Sequence, residues 1–256
     1  MSGRSFTSKT LLAFCCLAAC NKPKQAPERL RVAAAADLAR AFEAVGAELA
    51  KEDPGPPPIF TFGSTGLLAK QLIQGAPFDV FAAANVSFAD DVLKAGVCDP
   101  ASKALYARGR IVAWSTHKAP ADLKDLAKPE YVKIAIANPE HAPYGRAAVE
   151  ALTAAGVYEQ VKPKLVFGEN VQQALQFAQS GNAEVAIVAL SLAIVSDGAY
   201  LSIPTELHKP IDQALLVCSK RPEAARFAQF VNSPTGRGIM RRYGFLLPGE
   251  VVAQGK

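Results

Sequence analysis

The chain has 256 residues, of which 50% are hydrophobic and 20% charged, with a formal net charge of +5. That composition excludes wholesale disorder and leaves room for one large domain or two lobes of about 100–120 residues each. The charge excess is too small and too scattered to form a nucleic-acid surface.

Residues 1–19 read as a signal peptide. Arg4 and Lys9 supply its positive region, and the apolar stretch 11–19 is too short to span a bilayer. It closes on Leu17-Ala18-Ala19-Cys20, which resembles the bacterial lipobox, where cleavage precedes a cysteine that carries lipid. The polar, proline-bearing residues 20–27 then form a tether, with Cys20 as the attachment point. Losing Arg4 and Lys9 leaves 26 basic against 23 acidic residues, a net +3. Of the five cysteines, only Cys98 and Cys218 remain beyond the anchor. Neither lies in a CxxC pair or near a histidine, which argues against a metal site. In an oxidising compartment they either pair or stay separate buried thiols.

From residue 30 onward, strand-like and helix-like segments alternate. A buried strand at 30–36 leads through Asp37 into a helix to residue 51. A turn at 52–58 precedes a strand at 59–62, and Gly63-Ser64-Thr65-Gly66 opens an amphipathic helix. Strands follow at 79–84 and 110–114, separated by helical sequence at 89–95 and 101–106. Then come 134–137 (strand), 145–155 (helix), 164–167 (strand), 171–180 (helix) and 183–190 (strand). A strand at 213–219 and helices at 222–232 and 235–243 complete the chain. This rhythm predicts parallel sheets with helices on both faces, whose ligands bind beyond the carboxyl ends of strands.

Four strand-to-helix junctions stand out under that rule: Ala36-Asp37, Ser64-Thr65, Asn138 through Gly145, and Gly168-Glu169-Asn170-Val171. Each offers unpaired N–H groups at the positive end of a helix, and none carries Lys or Arg at its mouth. Such a set can hold an anion by dipoles and hydroxyls if water is excluded. The second junction lacks the GK[ST] ending of a nucleotide loop. Ordinary capping accounts for each junction taken alone, with Asp37 and Asn170 as N-caps and Pro143 starting a helix. His117, His141 and His208 form no triad or metal cluster in sequence and are expected at the surface, although His141 lies in a candidate loop. Trp114 is expected to serve packing, and no nucleophile–base pair is evident at the mouth.

Several words of this sequence occur together in one family. They are Val32-Ala33-Ala34-Ala35-Ala36-Asp37-Leu38, Gly63-Ser64-Thr65-Gly66-Leu67-Leu68-Ala69-Lys70-Gln71 and Gly75-Ala76-Pro77-Phe78-Asp79-Val80-Phe81. They continue through Ala137-Asn138-Pro139-Glu140-His141-Ala142-Pro143-Tyr144-Gly145, Gly168-Glu169-Asn170-Val171, Ile187-Val188-Ala189-Leu190-Ser191 and Arg242-Tyr243-Gly244-Phe245. Over nearly all of the mature chain this resembles the molybdate-binding proteins of ABC importers.

The resemblance implies a two-lobed α/β type II periplasmic-binding fold, each lobe a mostly parallel sheet flanked by helices, with the ligand cleft between lobes. One lobe would span 28–112 plus 211–256, the other 113–210. It implies a monomeric, lipid-anchored binding protein of the periplasm or cell envelope, not an enzyme and without cofactor. That protein would pass molybdate or tungstate to the transmembrane subunits of an ABC permease. The ligand-binding positions carried over are Asp37, Ser64, Thr65, Tyr144 and Val171, acting on the anion's oxygens, with no free metal cation. Two departures matter: Asp37 stands where relatives carry Ser, and Ala189 where they carry a ligand-contacting Tyr. Asp37 is expected to turn away and cap its helix; the other reading has it accept a proton from an anion such as hydrogen phosphate. Phosphate, sulfate and small carboxylates are the rival ligands, and an enzyme on the same fold is the rival from another class.

Overall fold

The computed structural model describes residues 28–52 and 55–250. The expected signal peptide, the tether and Cys20 lie outside these residues. The described chain forms two five-stranded sheets, each flanked by helices. The first comprises β1 (Arg31–Ala35), β2 (Ile59–Gly63), β3 (Val80–Ala83), β4 (Ala104–Gly109) and β10 (Ile211–Val217), in the order β2-β1-β3-β10-β4. The second comprises β5 (Ile111–Ser115), β6 (Ile134–Ala137), β7 (Leu165–Gly168), β8 (Val185–Ala189) and β9 (Ala199–Ser202), in the order β7-β6-β8-β5-β9. Each sheet has three parallel strands followed by one antiparallel strand. That fourth strand is the one arriving from the other sheet: β5 follows β4 across Arg110, and β10 returns through residues 203–210.

The helices are α1 (Ala39–Glu52), α2 (Thr65–Ile73), α3 (Val86–Lys94), α4 (Pro143–Ala154), α5 (Tyr158–Val161), α6 (Val171–Gln179), α7 (Leu190–Ala193), α8 (Pro222–Asn232) and α9 (Pro234–Arg242). Parallel strands covered on both faces read as unbroken apolar runs, and β1, β3, β6 and β8 are buried along almost their whole length. Alanine dominates β1, so the backbones of neighbouring elements approach closely. Phe42 meets Phe227 edge-on at 5.5 Å and Tyr106 at 6.1 Å, filling the space between α1, α8 and β4. Trp114 is fully buried in β5, as a packing role requires.

Among the segments that differ from the sequence reading, two belong to the sheets. Residues 101–106 are not helical: a short 3-10 turn (Pro100–Ser102) leads directly into β4. Its local composition tolerates a helix, but antiparallel pairing with β10 captures the segment as a strand. Strand β9 was not anticipated, and it forms by pairing with β5.

Cys98 and Cys218 form a disulfide that ties the segment after α3 to the end of β10, closing a separation of 120 residues. The open question of pairing is thereby answered. A crosslink of this span restricts the unfolded chain strongly. Replacing both cysteines with serine should lower unfolding free energy by about 2–4 kcal/mol in urea titrations, with the fold retained.

Candidate functional site

The carboxyl ends of β1, β2, β6 and β7 face one another between the sheets. The residues that follow them line a single cleft: Ala35, Ala36 and Asp37, then Gly63, Ser64 and Thr65, then Ala142, Pro143 and Tyr144, and Asn170 with Val171. All five sequence-predicted ligand residues are therefore brought together. The cavity in the cleft is about 10 Å³, far below the roughly 300–1,000 Å³ of sites for drug-sized ligands. Among the described residues no Lys, Arg or His lines it. Larger hollows lie elsewhere, beside residues 55–58 and beside Lys118 and Asp125, but neither is lined by any of the four junctions.

Three of the four helix starts lack a side-chain cap. The 3-10 turn Ala36–Leu38, which runs on into α1, has none from Ala35; α2 has none from Ser64; α4 has none from Ala142. Asn170 does cap α6, accepting from the amides of Gln172 and Gln173 at 3.0 Å each, which leaves the Val171 amide outside the cap. Buried amides without caps need another acceptor, and an anion's oxygens satisfy that need. Gly145 is required here for space. A Cβ on it would fall inside the Ala137 carbonyl, so only glycine lets α4 start this close to β6.

The Ser64 hydroxyl is engaged across the cleft. It donates to the His141 carbonyl at 2.7 Å, and the Gly66 amide donates to the same oxygen at 3.0 Å. His141 Nδ1 lies 2.8 Å from Ser64 Oγ. A serine–histidine pair thus exists at the mouth, contrary to the sequence reading. Its polarity is wrong for an activated nucleophile. The serine proton points to the carbonyl, which leaves Oγ to accept from Nδ1. Arg146 stacks over Phe88 at 4.9 Å beside this contact, joining α4 to α3. Thr65 Oγ1 accepts from the Ala84 amide at 3.2 Å and keeps its own proton available.

Asp37 departs most from expectation. Its carboxylate does not cap the helix. Oδ2 accepts from Gln213 Nε2 at 2.6 Å and from the Tyr144 hydroxyl at 2.8 Å, while Oδ1 is buried without a protein partner. Donors from β10 and α4 hold this oxygen in place of the helix amides. Tyr106 donates to Gln213 Oε1 at 2.7 Å, and Ser191 donates to the Asp37 carbonyl at 2.7 Å. Gly109 lies directly under the Tyr144 hydroxyl, where any Cβ would clash. Gln213 is fully buried and sequence reasoning missed it. The available signal was an amide just ahead of the apolar run 214–217 in this strand. His208 is also buried, not on the surface as expected, and its Nδ1 meets the Lys209 carbonyl at 2.8 Å. Ala189 is buried at the end of β8 and contributes no polar group.

Burial raises the Asp37 acid from 3.8 to about 6, against the opposing hydrogen bonds from Gln213 and Tyr144. Burial, and then the Asp37 charge, hold Tyr106 and Tyr144 well above the ordinary tyrosine range. A raised acid binds its proton more tightly in the folded than in the unfolded state, so stability falls as pH rises between 3.8 and about 6. The ionised group costs the unliganded protein about 3 kcal/mol at neutral pH. Asp37→Asn should remove that component, flattening the difference in urea stability between about pH 4.5 and about pH 7.

Residues 30–246 match the family model described as bacterial extracellular solute-binding protein. The chain is 38% identical over 219 residues to the molybdate-binding protein ModA of Rhodobacter capsulatus, covering 84% of this chain and 86% of that protein. Identity to the protein of the same name from Azotobacter vinelandii is 34% over 225 residues, covering 84% and 89%. A solved structure of the Azotobacter vinelandii periplasmic molybdate-binding protein aligns with a TM-score of 0.79 at 28% identity, covering 86% of this chain and 100% of that one.

Proposed function

The chain belongs to the bacterial extracellular solute-binding proteins, and on that premise we propose that it captures molybdate or tungstate between its lobes for an ABC permease. The observation that carries this is the meeting of uncapped helix starts at one small cleft without a cation. Amide dipoles fixed at close range select a small anion by size and shape, and they need no counter-charge when water is excluded. The names of the two relatives above point to the same ligand class.

The amides of Asp37, Thr65, Tyr144 and Val171 supply the donors in this reading, with the Thr65 hydroxyl beside them. The Ser64 hydroxyl either turns to the anion or holds the His141 loop over it. Residues 28–112 with 211–256 would act as one lobe and 113–210 as the other. Because Ile111 and Val112 already pair in the second sheet, the crossing is best placed at Arg110. The contacts Ser64–His141, Tyr144–Asp37 and Ser191–Asp37 join the two sheets, so a ligand that favours them shifts the population toward closure. The protein would act as a monomer, presenting the closed form to the permease.

Calorimetry of the domain without residues 1–27 against molybdate, tungstate, sulfate and phosphate tests the reading. Saturable one-to-one binding of molybdate and tungstate, with phosphate much weaker, is expected. A preference for phosphate or a carboxylate would overturn the ligand assignment. Ser64→Ala should weaken molybdate binding by about 1.5–3 kcal/mol, the range for hydrogen bonds to charged groups, with circular dichroism unchanged. Equal affinity in the variant would remove Ser64 from the machinery.

Anchoring through Cys20 is part of the proposal. Among the described residues no helix is long and apolar enough to cross a membrane. A single acyl chain holds only weakly, so stable attachment calls for more than one at the N-terminus. Cys20→Ser should eliminate lipid labelling and move the protein from the membrane fraction to the soluble one. Membrane retention of that variant, with no acyl mass on the wild-type peptide, would refute anchoring.

A further inference from the structure

Asp37 is the one ionisable side chain among the residues lining the cleft besides Tyr144, and its two oxygens have different surroundings. Oδ2 accepts two hydrogen bonds, from Gln213 Nε2 at 2.6 Å and Tyr144 Oη at 2.8 Å. It therefore has the role of a carbonyl oxygen. Oδ1 is buried and has no partner in the protein, which suits a hydroxyl oxygen whose proton has yet to find an acceptor. An ionised carboxylate and a fully deprotonated oxyanion are both acceptors only, so they cannot bond without a proton between them. Among the described residues no lysine or arginine lines the cleft to screen their repulsion.

Resting on the oxyanion reading above, we infer that Asp37 Oδ1 shares one proton with the bound anion, so that capture of a fully deprotonated oxyanion takes up one proton from solution. The balance is a carboxylate, a proton and a dianion going to a carboxylic acid hydrogen-bonded to the dianion. An anion that carries its own proton, such as hydrogen phosphate, brings that proton with it and meets Asp37 as the acceptor. Asp37 thus ties selection among anions to their protonation state. Burial already favours the neutral acid before ligand arrives, and the anion's charge favours it further.

The other groups facing this carboxyl do not supply the proton. Tyr144 on α4 and Tyr106 on β4 are phenols held above their usual range. Gln213 on β10 does not titrate, Ser191 on α7 meets only the Asp37 carbonyl, and Val171 on α6 is apolar. His141 reaches Ser64, not Asp37.

Calorimetry with sodium molybdate and with sodium sulfate, each unprotonated across about pH 6.5 to 9, should be run in buffers of differing ionisation enthalpy. Wild-type protein should take up about one proton per anion at about pH 8, and Kd should rise about tenfold per pH unit above the Asp37 acid's range. Asp37→Asn presents an amide donor in place of the hydroxyl, while its oxygen still accepts from Gln213 and Tyr144. It should show no proton uptake, a flat Kd, and tighter binding than wild type at about pH 8. Tight molybdate binding by wild type without proton uptake would overturn this inference and leave the oxyanion reading standing. Uptake that persists in Asp37→Asn would also overturn it, placing the proton on a group other than Asp37. Failure of both proteins to bind any oxyanion would overturn the oxyanion reading and this inference together.

Discussion

Backbone amides at the start of a helix have no partner within the helix, and burying them without an acceptor is costly. Four strands in this protein end at one place, and each hands the chain to a helix or helical turn that begins there. Three of those starts carry no side-chain cap, and the fourth is capped on its second and third amides but not on its first. The usual capping chemistry is present in the sequence but used elsewhere: Ser64 reaches across to His141, and Asp37 to Tyr144 and Gln213. The donors left over define the cleft, and the rest of the fold holds them in position. Alanines in β1 and glycine at 145 matter because they let the backbones come close enough for the amides to converge.

The same constraint joins the lobes. The His141 carbonyl accepts from both Ser64 and Gly66, one oxygen of the second lobe seated on the first turn of α2. Asp37 gathers Tyr144 and Ser191 from the second lobe while Gln213 and Tyr106 brace it from the first. These contacts hold the two sheets together across the cleft. A polar network in a buried place is favourable only when complete. In this one a single oxygen, Asp37 Oδ1, is left without a protein partner in the cleft-lining network.

Much of the architecture was legible in the sequence because its period is local. Apolar runs bounded by turn residues marked β1, β3, β6 and β8. Helix-period stretches marked α1, α4 and α6, and the four junctions followed from their order. The segment 101–106 was misread because its residues suit either state, and only β10, about 110 residues further along the chain, decides that it is a strand. The disulfide was open for the same reason, since pairing of Cys98 with Cys218 depends on where β10 runs and not on spacing.

Asp37 marks the boundary between the two kinds of information. Its position just before an apolar-periodic run is what local rules read as a helix cap, and that reading fails. Its real partners lie 107 and 176 residues away, and no periodicity relates them. The sequence by itself determined the α/β rhythm, the family and which residues reach the cleft, because those depend on local pattern and on words kept in order. Only the tertiary structure decided what each of those side chains does there. A hydrogen bond goes to the nearest well-aligned partner in space, and burial then sets the charge it can bear.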